Sequence, residues 1–69
     1  SLERANSIAD ACVRDADTAL LPRNTVLRAE SAAELPALMK QIEALPNGAI
    51  PAACAADVVA VARAVMATP

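Results

Sequence analysis

Small side chains dominate the apolar residues of this chain, and this feature limits its possible folds most. Hydrophobic residues make up 57% of the 69 residues, but none of them is aromatic. Nineteen are alanine, against seven leucines, six valines and three isoleucines. Alanine is the best helix former but buries little area, so it favours helices that approach closely. A single glycine and the lack of an alternating β-branched run also argue against a sheet. We therefore predict an all-α fold.

The chain length predicts one domain, residues 1–69. A domain this short leaves much of its surface in water, so its core is only marginally stable by itself. Such domains commonly gain stability from a disulfide, a metal or a partner.

Proline positions divide the chain into three helical segments. The first helix is predicted over about 2–20, and Pro22 ends it. Its apolar residues recur every three or four positions and form one stripe, made of Leu2, Ala5, Ala9, Cys12, Ala16 and Ala19, which Ile8 and Leu20 widen.

The second helix is predicted over about 31–45, because Ser31 and Glu34 have capping-box spacing. Pro36 favours a stricter alternative, with one turn near Ser31 and a main helix from about 36. Residues 23–30 are compatible either with an extended stretch or with the first turn of a helix. Pro51 suits the start of a third helix over about 51–67. Together these segments predict an antiparallel bundle of three to four helices.

The two cysteines both fall on predicted core stripes. Cys12 lies on that of the first helix and Cys54 on that of the last. A disulfide between them would close a loop of about 43 residues and stabilise the fold by roughly 4 kcal/mol. This pairing would favour a secreted or periplasmic protein. Two buried free thiols are the alternative, and a redox-active pair is disfavoured because the cysteines are far apart in sequence.

Composition excludes several classes of function. The net charge is −2 and the basic residues do not cluster, so we expect no nucleic-acid binding. The apolar C-terminal stretch is too short for a membrane span and contains Asp57 and Arg63. Histidine is absent, Gly48 stands alone, and two distant cysteines do not make a zinc site, so we predict no metal or cofactor. We also expect that the chain is not an enzyme.

The last helix suggests a function. Cys54, Val58, Val61 and Val65 fall within a narrow arc, whereas the opposite side holds alanines and only two charged residues. Such a helix is either central in the bundle or contacts something else. We therefore predict a non-catalytic helical module that binds a protein partner, or itself, through this helix. The candidate contacts are Val59, Ala60, Arg63 and Met66. The apolar residues Val26, Leu27 and Leu35 around the middle connection also motivate this prediction, although the spacing of the second helix places Leu35 on its buried side with Leu38, Ile42 and Leu45.

Two other functions remain open. Small core side chains could leave an interior cavity, which would make the protein a secreted or periplasmic carrier of an apolar ligand. The chain begins at Ser1, which also fits a processed mature form or an accessory domain excised from a larger protein.

Overall fold

The computed structural model describes residues 1–68 and is helical, with no strand in that range. It contains three α-helices, α1 (Leu2–Arg14), α2 (Leu35–Ala44) and α3 (Ala52–Ala67), and a short 3-10 helix, Ala32–Glu34. The predicted all-α class is confirmed, with three helices. None of the helices in this range is both long and apolar enough to cross a membrane.

The helix α3 is the one against which both other helices pack. Ser1 and Val65 line one surface depression, so the start of α1 lies beside the end of α3 and the two helices are antiparallel. The α1–α3 interface is built from small residues, and its fully buried members are Ala5, Ala9, Cys12, Val58 and Ala62. On the other side, α2 buries Leu35, Leu38 and Ile42. A core of this kind brings helices close together but buries little area per residue.

The end of α1 differs from the prediction. Ser1 caps the helix through its Oγ, which accepts a hydrogen bond from the Arg4 N–H at 3.2 Å. The predicted end near residue 20 is wrong, because α1 stops at Arg14. Asp17 accounts for this: its N–H donates to the Ala49 carbonyl, and its Oδ1 accepts from the Ala19 N–H, both at 2.9 Å. Short polar side chains compete with helical hydrogen bonds in this way.

The stripe predicted for the first helix is consequently cut short. Ala19 and Leu20, which would extend it, belong to turns and are exposed, with 42% of Leu20 accessible to solvent. The Asp17 carbonyl accepts from the N–H groups of Leu20 and Leu21, at 3.0 and 2.9 Å, and this closes the turn.

Residues 25–30 are not helical and lie between the turns that follow α1 and the short 3-10 helix; we refer to them as the strap. Their burial alternates, since Leu27 and Ala29 are buried whereas Val26, Arg28 and Glu30 are exposed. This alternation has the period of a β-strand. The backbone groups of the strap, however, form most of their hydrogen bonds with side chains and not with another strand. Leu27 and Leu35, which supported the prediction of a binding module, are core residues, and for Leu35 this agrees with the buried side that apolar spacing predicts for the second helix; Val26 is 67% exposed.

The entry into α2 follows the stricter of the two predictions, with one 3-10 turn before the main helix. The capping box does not form, because the Ser31 side chain makes no capping hydrogen bond. The Glu34 carboxylate instead accepts from the Glu30 N–H at 3.0 Å. Pro36 lies in the first turn of α2, where a missing N–H removes no helical hydrogen bond.

The helix α3 begins one residue after Pro51, close to its predicted bounds. The preceding loop, residues 45–51, reverses the chain, with Gly48 at a φ of 84°. This left-handed conformation favours glycine because it has no Cβ. Val58 and Ala62 form the centre of the buried face of α3, and Cys54, Val61 and Val65 are half-buried beside them.

Candidate interaction surface

Cys12 and Cys54 lie within disulfide-bonding distance, with their Cα atoms 5.7 Å apart. Cys12 is in the last turn of α1 and completely buried, whereas Cys54 is in the first turn of α3 and half-buried. The pair therefore joins α1 to α3 at one end of their interface. This position gives it a structural role in holding two helices whose shared core is made of small residues.

The opposite side of α3 is exposed; we call it the outer side. Its exposed residues are Ala53, Ala56, Asp57, Ala60, Arg63, Ala64, Met66 and Ala67. Only Asp57 and Arg63 among them are charged, and neither forms an ion pair within residues 1–68. An exposed helix side usually carries many more charged residues, so this one is unusually apolar.

The four predicted contact residues all lie away from the centre of the buried face. Ala60, Arg63 and Met66 are exposed, with Met66 at 39%, and Val59 is half-buried. At 100° per residue they span an arc of about 120° on one side of the helix. The structure thus brings them together on one surface. Contact with a partner remains a prediction.

An open apolar groove lies beside this surface, and sequence reasoning did not predict it. It has a volume of about 420 Å³ and runs between the end of α2, the loop 45–51 and the start of α3. Its lining residues are Ile42, Glu43, Leu45, Pro46, Asn47, Gly48, Ile50, Ala52, Ala55, Ala56 and Val59. Val59 belongs both to the groove and to the predicted contact residues, so the two surfaces are continuous.

The exposed leucine of the turn region lies close to the same groove. The Leu20 side chain lies beside Gly48, since a Cβ built on this glycine would be 3.7 Å from the Leu20 Cδ1. Leu20 therefore extends the apolar surface beyond the loop. Leu20 lies near the groove because α1 ends at Arg14 and the chain then turns.

Asn6 was also not predicted from the sequence; it is the one buried polar residue of the described core. Its side-chain Nδ2 donates to the Ala29 carbonyl at 2.7 Å, and its Oδ1 accepts from the Ala29 N–H at 2.9 Å. The only signal in the sequence is its place next to Ala5, at the edge of the apolar stripe. This pair fixes the strap on α1.

No protein-family model, no curated protein and no solved structure matches this chain. The functional argument therefore depends on the surface itself.

Proposed function

We propose that this protein is a small, non-catalytic helical module that binds another protein through the outer side of α3. The observation that carries this proposal is the composition of that side, on which two charged residues accompany five exposed alanines and a half-exposed methionine. The centres of protein interfaces are depleted in charged residues and enriched in methionine. Exposed alanines also allow the backbone of a partner to approach closely.

The area that an interface requires supports a contribution from the groove. Stable interfaces bury about 800 Å² on each partner, which is nearly a fifth of the 4439 Å² surface of this chain. A helix of 16 residues is about 24 Å long and about 10 Å wide, so one side of it supplies only part of this area. The groove beside Val59 adds further apolar surface. The interface that we propose therefore includes both.

The Cys12–Cys54 pair favours the location of this protein in a compartment where disulfides persist. Such bonds are common in secreted and periplasmic proteins and rare in reducing cytosols. We propose one of these oxidising compartments for this protein. The Cys12–Cys54 disulfide would then stabilise the α1–α3 interface while α3 presents its outer side.

Site-specific photocross-linking tests the proposed surface. A photoreactive benzophenone amino acid would replace Ala60 on α3 and, as a matched control, the exposed Ala37 on α2. Irradiation of the protein in its native host should give a discrete adduct from position 60 and none from position 37. An adduct of about twice 7.0 kDa would identify a second copy, and any other mass a different protein. Equal patterns from both positions would contradict the proposal.

The groove also favours a second candidate function, the binding of a small apolar ligand. Its 420 Å³ lies within the usual range of ligand pockets. The site differs from the interior cavity that the sequence left open as an alternative, because the groove is open at the surface. Saturable 1:1 binding of a hydrophobic dye, abolished by Ala56→Asp but not by Ala37→Asp, would support this function. A module that binds proteins should give only weak, unsaturable dye fluorescence.

A further inference from the structure

Glu43 is in an electrostatically unfavourable position. It lies in the last turn of α2, which carries no basic residue, and it lines the groove. Unpaired carbonyls give the C-terminal end of a helix a partial negative charge, which repels a carboxylate. Lys40 lies three residues before Glu43 on α2 but outside the groove, and within residues 1–68 Glu43 forms no ion pair with it or with any other residue. A cation supplied from outside would relieve both charges.

Glu43 is the one charged residue that lines the groove. The end of α2 contributes about −0.5 and the start of α3 about +0.5 elementary charge. These two contributions roughly cancel, since both Leu45 and Ala52 line the groove. The full charge of Glu43 remains, within walls that are mainly apolar. The groove is therefore complementary to an apolar side chain that has a cation beside it.

The outer side of α3 carries such a combination. Arg63 and Met66 are three residues apart and therefore neighbours on the helix surface. Both are exposed, and Arg63 forms no ion pair in the described part of the chain. Met66 is unbranched and flexible, so it adapts to irregular apolar sites. The same chain thus carries the groove and the side chains that fit it.

A twofold arrangement brings the two halves together. When two copies of α3 pack antiparallel about an axis at the level of Val61, Met66 of one copy lies opposite Ala56 of the other. In the same register Arg63 lies opposite Val59. Ala56 and Val59 both line the groove that contains Glu43. Because a twofold interface uses the same patch on both copies, each contact occurs twice.

We propose that the occupant of the groove is a second copy of this chain, with its Met66 in the groove and its Arg63 paired with Glu43. This inference rests on the proposed function, since it names the partner that binds the outer side of α3. Ala60 lies near the axis, where its small side chain lets the two helices approach. The interface is small, so the dimer should be weak and dependent on concentration.

Charge exchange tests the pairing. Sedimentation equilibrium from about 10 µM to 1 mM would compare the wild type with Arg63→Glu, Glu43→Arg and the double variant. Arg23→Glu, in an exposed turn, provides the matched control. Each single reversal replaces two attractive pairs by two repulsive ones and should raise the dimer Kd about ten-fold. The double variant restores opposite charges and should return the Kd to within about three-fold of the wild type, as should the control.

The outcomes separate this inference from the function on which it rests. A wild type that stays monomeric up to 1 mM would overturn the second copy as partner, while cross-linking from position 60 to another protein would still support the proposed function. A dimer whose Kd does not respond to the single reversals, or is not restored in the double variant, would overturn the Arg63–Glu43 pairing.

Discussion

The Asn6 side chain and the Ala29 backbone form two hydrogen bonds with each other, across 23 residues of sequence. The amide of Asn6 matches the N–H and C=O of one peptide unit, as a neighbouring β-strand would. Both residues are buried, so neither partner has access to water as a substitute. Because α1 and the strap share few other polar contacts, this pair specifies where the strap lies.

Replacement of Asn6 by leucine should therefore destabilise the fold by about 3 kcal/mol. The substitution leaves the N–H and C=O of Ala29 buried without partners, and each such group costs about 1–3 kcal/mol. Urea unfolding measures the loss. Asn47→Ala, in an exposed turn, should change the free energy of unfolding by less than about 0.5 kcal/mol. Equal effects of the two substitutions would show that the Asn6 pair adds nothing.

The Cys12–Cys54 pair should contribute about 4 kcal/mol, because it closes a loop of about 43 residues. The Cys12→Ala/Cys54→Ala double variant should lose this amount in urea unfolding relative to the oxidised wild type. That is a large share of the 5–15 kcal/mol typical of a domain. The mass of the intact native protein after alkylation of its thiols shows whether the disulfide is present. Without reductant the protein should carry no alkyl label, and after reduction it should carry two. Two labels without reductant would contradict the disulfide.

The alternation of the strap gives a matched pair of substitutions. Leu27 is 2% exposed and Val26 is 67% exposed, although they are neighbours. Leu27→Ala should cost about 2–4 kcal/mol, since it removes buried methyl groups and leaves a cavity. Val26→Ala should change stability by less than about 0.5 kcal/mol. Thermal unfolding of both variants measures the difference, and a comparable loss at Val26 would place the strap in a different register.

Gly48 should be intolerant of a side chain for reasons of backbone conformation. Its φ is 84°, and a Cβ built there would meet only a Leu20 methyl at ordinary contact distance. Gly48→Ala should therefore cost about 1–2 kcal/mol from the left-handed backbone alone. Gly48→Asn should cost less, because asparagine tolerates this conformation. An alanine variant as stable as the wild type would be inconsistent with the loop geometry described above.

Much of the fold could be predicted from local patterns. The bounds of α2 and α3 follow from proline positions and apolar spacing, and the stripe through Cys12 and the arc through Cys54 predict that the cysteines face one core. The end of α1 could not be predicted in this way. Asp17 leaves the helix by bonding to Ala49, which is distant in sequence and adjacent only in the folded chain.

The candidate surface was predictable only in part. The outer side of α3 follows from helical spacing alone, which is why Val59, Ala60, Arg63 and Met66 lie together. The groove depends on how the loop 45–51 places the end of α2 beside α3, and no local pattern contains that information. Glu43 gave a weaker signal: an acidic residue near a helix C-terminus conflicts with local preference, and such conflicts often occur at functional sites.

The measurement that tests the outer side of α3 most directly is the size of the native assembly for two matched variants. Ala60→Glu and Ala37→Glu each place one carboxylate at an exposed helical alanine, on α3 and α2 respectively. Each tagged variant would be expressed in the native host, and the extract would be chemically cross-linked before gel filtration so that a weak assembly is retained. The wild type and Ala37→Glu should then elute in an assembly larger than the 7.0 kDa monomer. Ala60→Glu should elute as the monomer. Elution of all three at the same size would contradict an interface on α3.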